Sequence, residues 1–243
     1  MAAIKTENLT KCYGKLTALD SLSLTVEEGE MLALLGVNGA GKTTAIKLLS
    51  CLTPPTSGEA TLRGHSILKA PQEVKRVIGV SPQETAVAKK LSVRENLQFI
   101  AEIHGFDKQK AAERVEKMLS DLGLSELAAR RAGTLSGGWQ RRLSIAMALV
   151  SEPQILFLDE PTLGLDVIAR HELWEHIKAL KGKMTVILTT HYLEEVEALC
   201  DRVAILAGGK LITVGTVAQI KELAGTDSFE DAFVKLCGKG VRV

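Results

Sequence analysis

An apolar run, Met31-Leu32-Ala33-Leu34-Leu35, is followed by GVNGAGKTT at residues 36–44 and then by the helical pattern Ile46, Leu48, Leu49. Gly36, Gly41, Lys42 and Thr43 fit the spacing Gly, four residues, Gly, Lys, then Ser or Thr. No other feature constrains the fold as much, because strand, glycine loop and helix in this order form one unit of an α/β sheet. Small residues at Gly39, Ala40 and Gly41, with Asn38 ahead of them, let successive backbone N–H groups curl around a phosphate. The helix beginning near Lys42 directs its unsatisfied N–H groups, around Thr43 and Thr44, and the positive end of its dipole at the same anion. Lys42 then reaches the terminal phosphates, and the Thr43 hydroxyl is placed to ligate Mg²⁺. These residues predict nucleotide binding without naming the machine the nucleotide drives.

Composition narrows the class. Apolar residues make up 46% and charged residues 24% of 243, enough for a proper core. Thirty basic against 29 acidic residues give a net charge of +1, so no nucleic-acid partner is expected. Cys12, Cys51, Cys200 and Cys237 are scattered and form no metal-ligand pair. With no apolar signal segment at the start, they predict a reducing, cytoplasmic setting. No apolar run approaches the roughly 20 residues that cross a bilayer, so any membrane link is expected through a partner.

Along the chain, alternating apolar residues predict strands over residues 4–9 and 22–26, with a turn at Glu28-Gly29. Tyr13, between the two strands, suits either packing or stacking on a purine. A breaker at residues 54–58 precedes a strand over 60–62, and another strand over 78–80 ends in Ser81-Pro82-Gln83. The capping box Ser92-Val93-Arg94-Glu95 opens a helix to about Ile103. Val115, Met118, Leu119 and Leu122 mark a second helix, and a third is expected from Ser136 to Val150. Residues 88–150 therefore read as an all-helical insert. Alternation then resumes with strands over 155–158, 186–188 and 203–206. Between and after them come helices capped by Asp166, by Thr216 with Gln219, and by residues 228–231.

The strand over 155–158 ends in Asp159-Glu160-Pro161. Asp159 there can hold Mg²⁺ beside Thr43, and Glu160 is the candidate to polarise an attacking water or to shape the metal shell. A second informative stretch is Leu135-Ser136-Gly137-Gly138-Trp139-Gln140. Ser136, Gly137 and Gly138 begin a helix, so they form either a simple N-cap or a second anion site. Two anion sites in one chain suggest two copies sandwiching nucleotide.

At this point the chain resembles the nucleotide-binding subunit of ABC transporters, in order over roughly residues 3–225. The resemblance implies a P-loop NTPase core with a mainly parallel sheet, an N-terminal antiparallel β subdomain and the inserted helical subdomain. Residues 1–225 would then be a single cassette and 226–243 a short tail. It further implies ATP and Mg²⁺ as cofactors. Ser136, Gly137 and Gly138 match the family's signature, which closes on the γ-phosphate held by a second copy or a homologous subunit. Tyr13 matches the aromatic that stacks on adenine. Gln83 matches the glutamine that senses Mg²⁺ and the attacking water. Asp166 matches the loop crossing the dimer interface, and His191 the histidine that contacts the γ-phosphate. The signature usually continues with Gln, whereas Trp139 stands here and Gln140 follows. A bulky residue there resembles subunits partnering integral membrane permeases of the ABC-2 type, including sodium-extrusion and drug-export systems. The expected function is therefore ATP hydrolysis on the cytoplasmic face of the membrane, driving a separate permease, with export favoured. The alternative is a non-transport member acting on ribosomes or nucleic acid. The stretch between the phosphate loop and the signature holds no long heptad arm, as a chromosome-type ATPase would need.

Overall fold

The computed structural model describes residues 1–240 of the chain. Its strands are β1 (Ala2–Tyr13), β2 (Leu16–Glu27), β3 (Met31–Leu35), β4 (Ser57–Leu62) and β5 (His65–Ser66), then β6 (Ile78–Ser81), β7 (Ile155–Asp159), β8 (Thr185–Thr190), β9 (Arg202–Ala207) and β10 (Lys210–Gly215). Its helices are α1 (Lys42–Leu49), α2 (Pro71–Val77), α3 (Val93–Ile103), α4 (Lys108–Asp121), α5 (Gly137–Leu149), α6 (Val167–Lys178), α7 (Leu193–Leu199), α8 (Val217–Ala224) and α9 (Phe229–Gly240).

Two sheets result. One is antiparallel, in the order β2-β1-β4-β5; the other is six-stranded, in the order β10-β9-β3-β8-β7-β6. Within the larger sheet β3, β6, β7, β8 and β9 pair in parallel, and only β10 runs against its neighbour. The mainly parallel core and N-terminal antiparallel sheet are as the sequence implies.

The continuous apolar runs have a direct cause, since the core strands are buried on both faces. Met31, Ala33 and Leu35 point into a core shared with the helices of residues 93–149 and with α6 to α9, while Leu32 and Leu34 point the other way. That opposite core is built with α1, α2 and the antiparallel sheet. Leu156 and Leu158 join the first core, and Ile155 and Phe157 the second, following the period-two rule of a strand. Phe157 is fully buried, so both layers close on the sheet without a solvated face.

Three elements were not read from the sequence. α2 is a short helix of seven residues with Pro71 at its start and only Val74 buried. β5 has only two residues. β10 returns from β9 through Gly208-Gly209, both at positive φ, a two-residue hairpin whose Gly-Gly signal is plain in retrospect. β1 and β2 also run far longer than the alternation suggested, meeting at Tyr13 and Leu16. The expected capping boxes at Ser92 and Thr216 are both formed. Residues 226–240 fold as part of the body: Ser228 accepts from Asp231 N–H, and Phe229, Ala232 and Cys237 of α9 are buried in the larger core. Residues 241–243 of the expected tail lie outside the described residues.

Candidate nucleotide site

Register places the site. Leu35, the last residue of β3, pairs with Thr190 of β8 and Ile205 of β9, and Asp159 of β7 pairs with Thr189. The phosphate loop, Asp159-Glu160 and His191 therefore leave the sheet at the same C-terminal edge, where α/β sheets bind ligands.

The loop's glycines are required sterically. A Cβ on Gly36 would lie 2.4 Å from the Leu206 carbonyl oxygen and 2.8 Å from the Ala40 Cβ. Gly41 has φ +101° and a Cβ there would meet the Ala18 carbonyl oxygen at 2.6 Å. α1 begins with no side-chain cap, so its first N–H groups remain for an anion. The Lys42 Nζ donates to the Gly36 carbonyl at 2.6 Å, which folds the side chain back along the loop, and lies 3.4 Å from Glu160 Oε1.

Asp159 is held from two sides. Its Oδ1 accepts from Thr189 Oγ1 at 2.6 Å and from Thr43 Oγ1 at 3.3 Å. Thr189 also receives the Glu160 N–H, on its hydroxyl at 3.0 Å and on its carbonyl at 3.1 Å. Sequence reasoning missed this threonine, which is fully buried and fixes both acidic residues. Glu160 itself sits at φ +49°, a left-handed conformation rare for a residue with a Cβ. Its Oε2 is 2.8 Å from His191 Nδ1.

The phosphate loop, Glu160 and His191 line a cleft of about 650 Å³. Its walls include Asn38 through Thr44 of the loop, Gln83, Glu160, His191 and, on the far side, Tyr13. Tyr13 is 47% exposed, and Lys11 Nζ stands 5.2 Å from its ring centroid. Leu16, Thr17, Ala18, Leu163 and Gly208 also line the cleft and were not singled out from the sequence. Leu163 follows Glu160 in the turn between β7 and α6, while the other four come from the β1–β2 and β9–β10 hairpins, whose placement beside the loop is a tertiary fact.

The Thr43 hydroxyl and Asp159 carboxylate are adjacent hard oxygen donors, Thr43 in the cleft wall and Asp159 buried against it. Among the described residues no cluster of three or more His, Cys, Asp and Glu could enclose a metal. That donor set fits a cation such as Mg²⁺, which takes few protein oxygens and completes its shell with phosphate and water.

Ser136, Gly137, Gly138 and Asp166 are not brought to this cleft. Ser136 precedes α5 as its N-cap residue but makes no side-chain cap bond, and Ser136 and Gly137 are exposed. Asp166 is exposed too, and its carboxylate accepts from Ala169 N–H at 2.9 Å, the expected cap. Ser136, Gly137 and Gly138 thus stand open and apart from the cleft. A Cβ on Gly138 would press on Ala169 at 3.3 Å, so the signature turn packs against the start of α6. Trp139 turns its ring to Arg142, whose guanidinium lies 4.4 Å from the ring centroid and also pairs with Glu172 of α6.

Loop, acidic strand end and edge-of-sheet cleft define a P-loop nucleoside triphosphatase. Comparison with known proteins gives the family: the family described as ABC transporter matches residues 19–163. The linearmycin resistance ATP-binding protein LnrL of Bacillus subtilis is 41% identical over 226 residues, covering 93% of this chain and 73% of its own. The doxorubicin resistance ATP-binding protein DrrA of Mycobacterium tuberculosis is 41% identical over 230 residues, covering 93% and 69%. A solved ATP-binding subunit of an ABC transporter superimposes with TM-score 0.86 at 29% identity over 96% of this chain and 99% of that one. A dimeric ATP-binding cassette in a post-hydrolysis state with ADP and Pi gives 0.80 at 26% identity over 88% and 98%. The chain belongs to the ABC transporter family, as an ATP-binding, ATP-hydrolysing subunit.

Proposed function

We propose that two copies of this chain, or one copy and a homologous subunit, close face to face around two ATP molecules. In this reading ATP drives a separate integral membrane permease of the ABC-2 type in the export direction. One observation carries the dimer: the second anion site at Ser136, Gly137 and Gly138 is open, its hydroxyl unspent on its own helix, and it lies outside its own cleft. A second copy brings it to the γ-phosphate. The names of the relatives, resistance proteins for linearmycin and doxorubicin, support export of an antibiotic-like compound.

Within the cleft Tyr13 stacks on the base, the loop amides and Lys42 hold the phosphates, and Thr43, Asp159 and Gln83 would hold Mg²⁺. When bound, the metal neutralises charge on the β- and γ-phosphates. Glu160 accepts a proton from the attacking water, and His191, held beside it at 2.8 Å, faces the γ-phosphate. Asp166 reaches across the dimer seam while capping α6.

Among the described residues no helix is long and apolar enough to cross a membrane. The permease therefore supplies the membrane attachment, on the cytoplasmic face. A groove of about 410 Å³ with Leu52, Val80, Pro82, Ile100 and Met147 in its wall lies between the sheet edge and α3, and we assign it to a cytosolic helix of that permease. The test uses Glu160→Gln protein with Mg-ATP and native membranes in detergent. A stable ATP-bound dimer that co-purifies a membrane protein in roughly equal amount is expected. A monomer at saturating Mg-ATP overturns the role of Glu160 and the sandwich. Recovery of ribosomal proteins or nucleic acid instead overturns transport.

A further inference from the structure

Arg141 is buried, and no role in nucleotide chemistry was expected of it. It sits on α5, just over one turn past Ser136. Its Nη1 donates to the Pro82 carbonyl at 2.6 Å and its Nη2 to the Gln83 carbonyl. The chain has just left the sheet there: β6 ends at Ser81, and Pro82 has no N–H to continue a ladder. The planar guanidinium fork meets two consecutive carbonyls at once, which the compact ammonium of a lysine does not. Burial draws the Arg141 pKa down and the nearby Asp159 charge draws it back.

The contact is one of three along a single face of α5. One turn on, Ser144 Oγ and Ser81 Oγ are 2.9 Å apart and buried. One turn further, β6 touches the helix backbone so closely that a Cβ on Gly79 would lie 2.3 Å from the Ala148 carbonyl oxygen. Positions 141, 144 and 148 follow the i, i+3, i+7 spacing of one helical face. The end of β6, the Gln83 backbone and α5 are therefore stitched into one body, and the start of that body is the second anion site.

We propose that Arg141 is a positioning residue for ATP hydrolysis: its paired bonds to the Pro82 and Gln83 carbonyls set Gln83 in the cleft according to the position of α5. A nucleotide of the second copy that seats Ser136, Gly137 and Gly138 thereby aligns Gln83 on this copy's own ATP. The inference rests on the reading that Gln83 serves hydrolysis and that those three residues meet the partner's nucleotide.

The experiment is a double-mutant cycle of Arg141→Lys and Gln83→Ala, read by ATP turnover, ATP affinity and amide hydrogen exchange. Arg141→Lys is expected to lower kcat about tenfold while ATP affinity stays within about twofold. Exchange at the amides of Gln83 and Glu84 should quicken in the protein without nucleotide, a readout independent of catalysis. In the Gln83→Ala background the lysine should cost nothing further. A full additive loss in the double variant, or unaltered turnover in Arg141→Lys, overturns the inference. An unaffected kcat in Gln83→Ala alone overturns the underlying reading of Gln83. Arg141→Gln, which keeps donors without the charge, carries the same cycle should the lysine variant not fold.

Discussion

Thr189→Val tests how the two acidic residues are held. Valine keeps the shape and removes only the hydroxyl, which donates to Asp159 Oδ1 at 2.6 Å and accepts from the Glu160 N–H. The Glu160 N–H keeps the Thr189 carbonyl at 3.1 Å, so it is not orphaned. The loss is therefore the hydroxyl–carboxylate bond, worth about 1.5–3 kcal/mol for a charged acceptor. In a chain of this size that lowers the melting midpoint by roughly 3–12 °C. Asp159 also loses its orientation toward Thr43, so the Mg²⁺ needed for half-maximal ATP hydrolysis should rise about tenfold, as for a lost partner behind a metal ligand. Thr189→Ser is the control: it retains the hydroxyl and should keep the native Mg²⁺ dependence, at about 1 kcal/mol for the missing methyl. The assay is Mg²⁺ titration of ATP turnover beside thermal unfolding. Identical Mg²⁺ curves for the valine and serine variants would refute the reasoning.

Lys42→Ala removes the cation of the phosphate loop, and ATP should bind about ten- to a hundredfold more weakly by titration calorimetry; unchanged affinity would sink the phosphate-loop assignment. Glu195 of α7 is fully buried, with Oε1 accepting from Trp174 Nε1 at 3.2 Å and Oε2 without a partner among the described residues. Burial pushes its pKa above the usual 4.5, so the folded chain holds a proton that the unfolded chain has lost. That contribution is complete below about pH 4.5 and is lost as pH rises through the folded value. Relative to the native protein, Glu195→Gln should thus gain stability as pH rises from about 5 to 8. Parallel denaturation midpoints across that range would refute it.

Much of the site was legible because its chemistry is local. Gly36, Gly41, Lys42 and Thr43 are contiguous, and each is dictated by a backbone or ligand requirement that only its residue type meets. Asp159-Glu160 follows a buried strand, and the caps at Ser92, Asp166, Thr216 and Ser228 need only three or four residues to be seen. What escaped reading is non-local. Thr189 looks like one more β-branched residue of a buried strand until register sets it against Asp159. Arg141 reads as a surface charge in a run of two arginines until α5 packs on the end of β6.

The sequence by itself determined the phosphate loop and the alternation of strand and helix. Each of these depends on steric demands and periodicities within a few residues. Only the tertiary structure decided that β3, β7 and β8 end level, which turns three separate motifs into one cleft. It also decided that Tyr13 lines that cleft and that Ser136 stands away from it. Strand order and helix packing are set by the burial of many side chains together, and no short stretch of residues contains that sum.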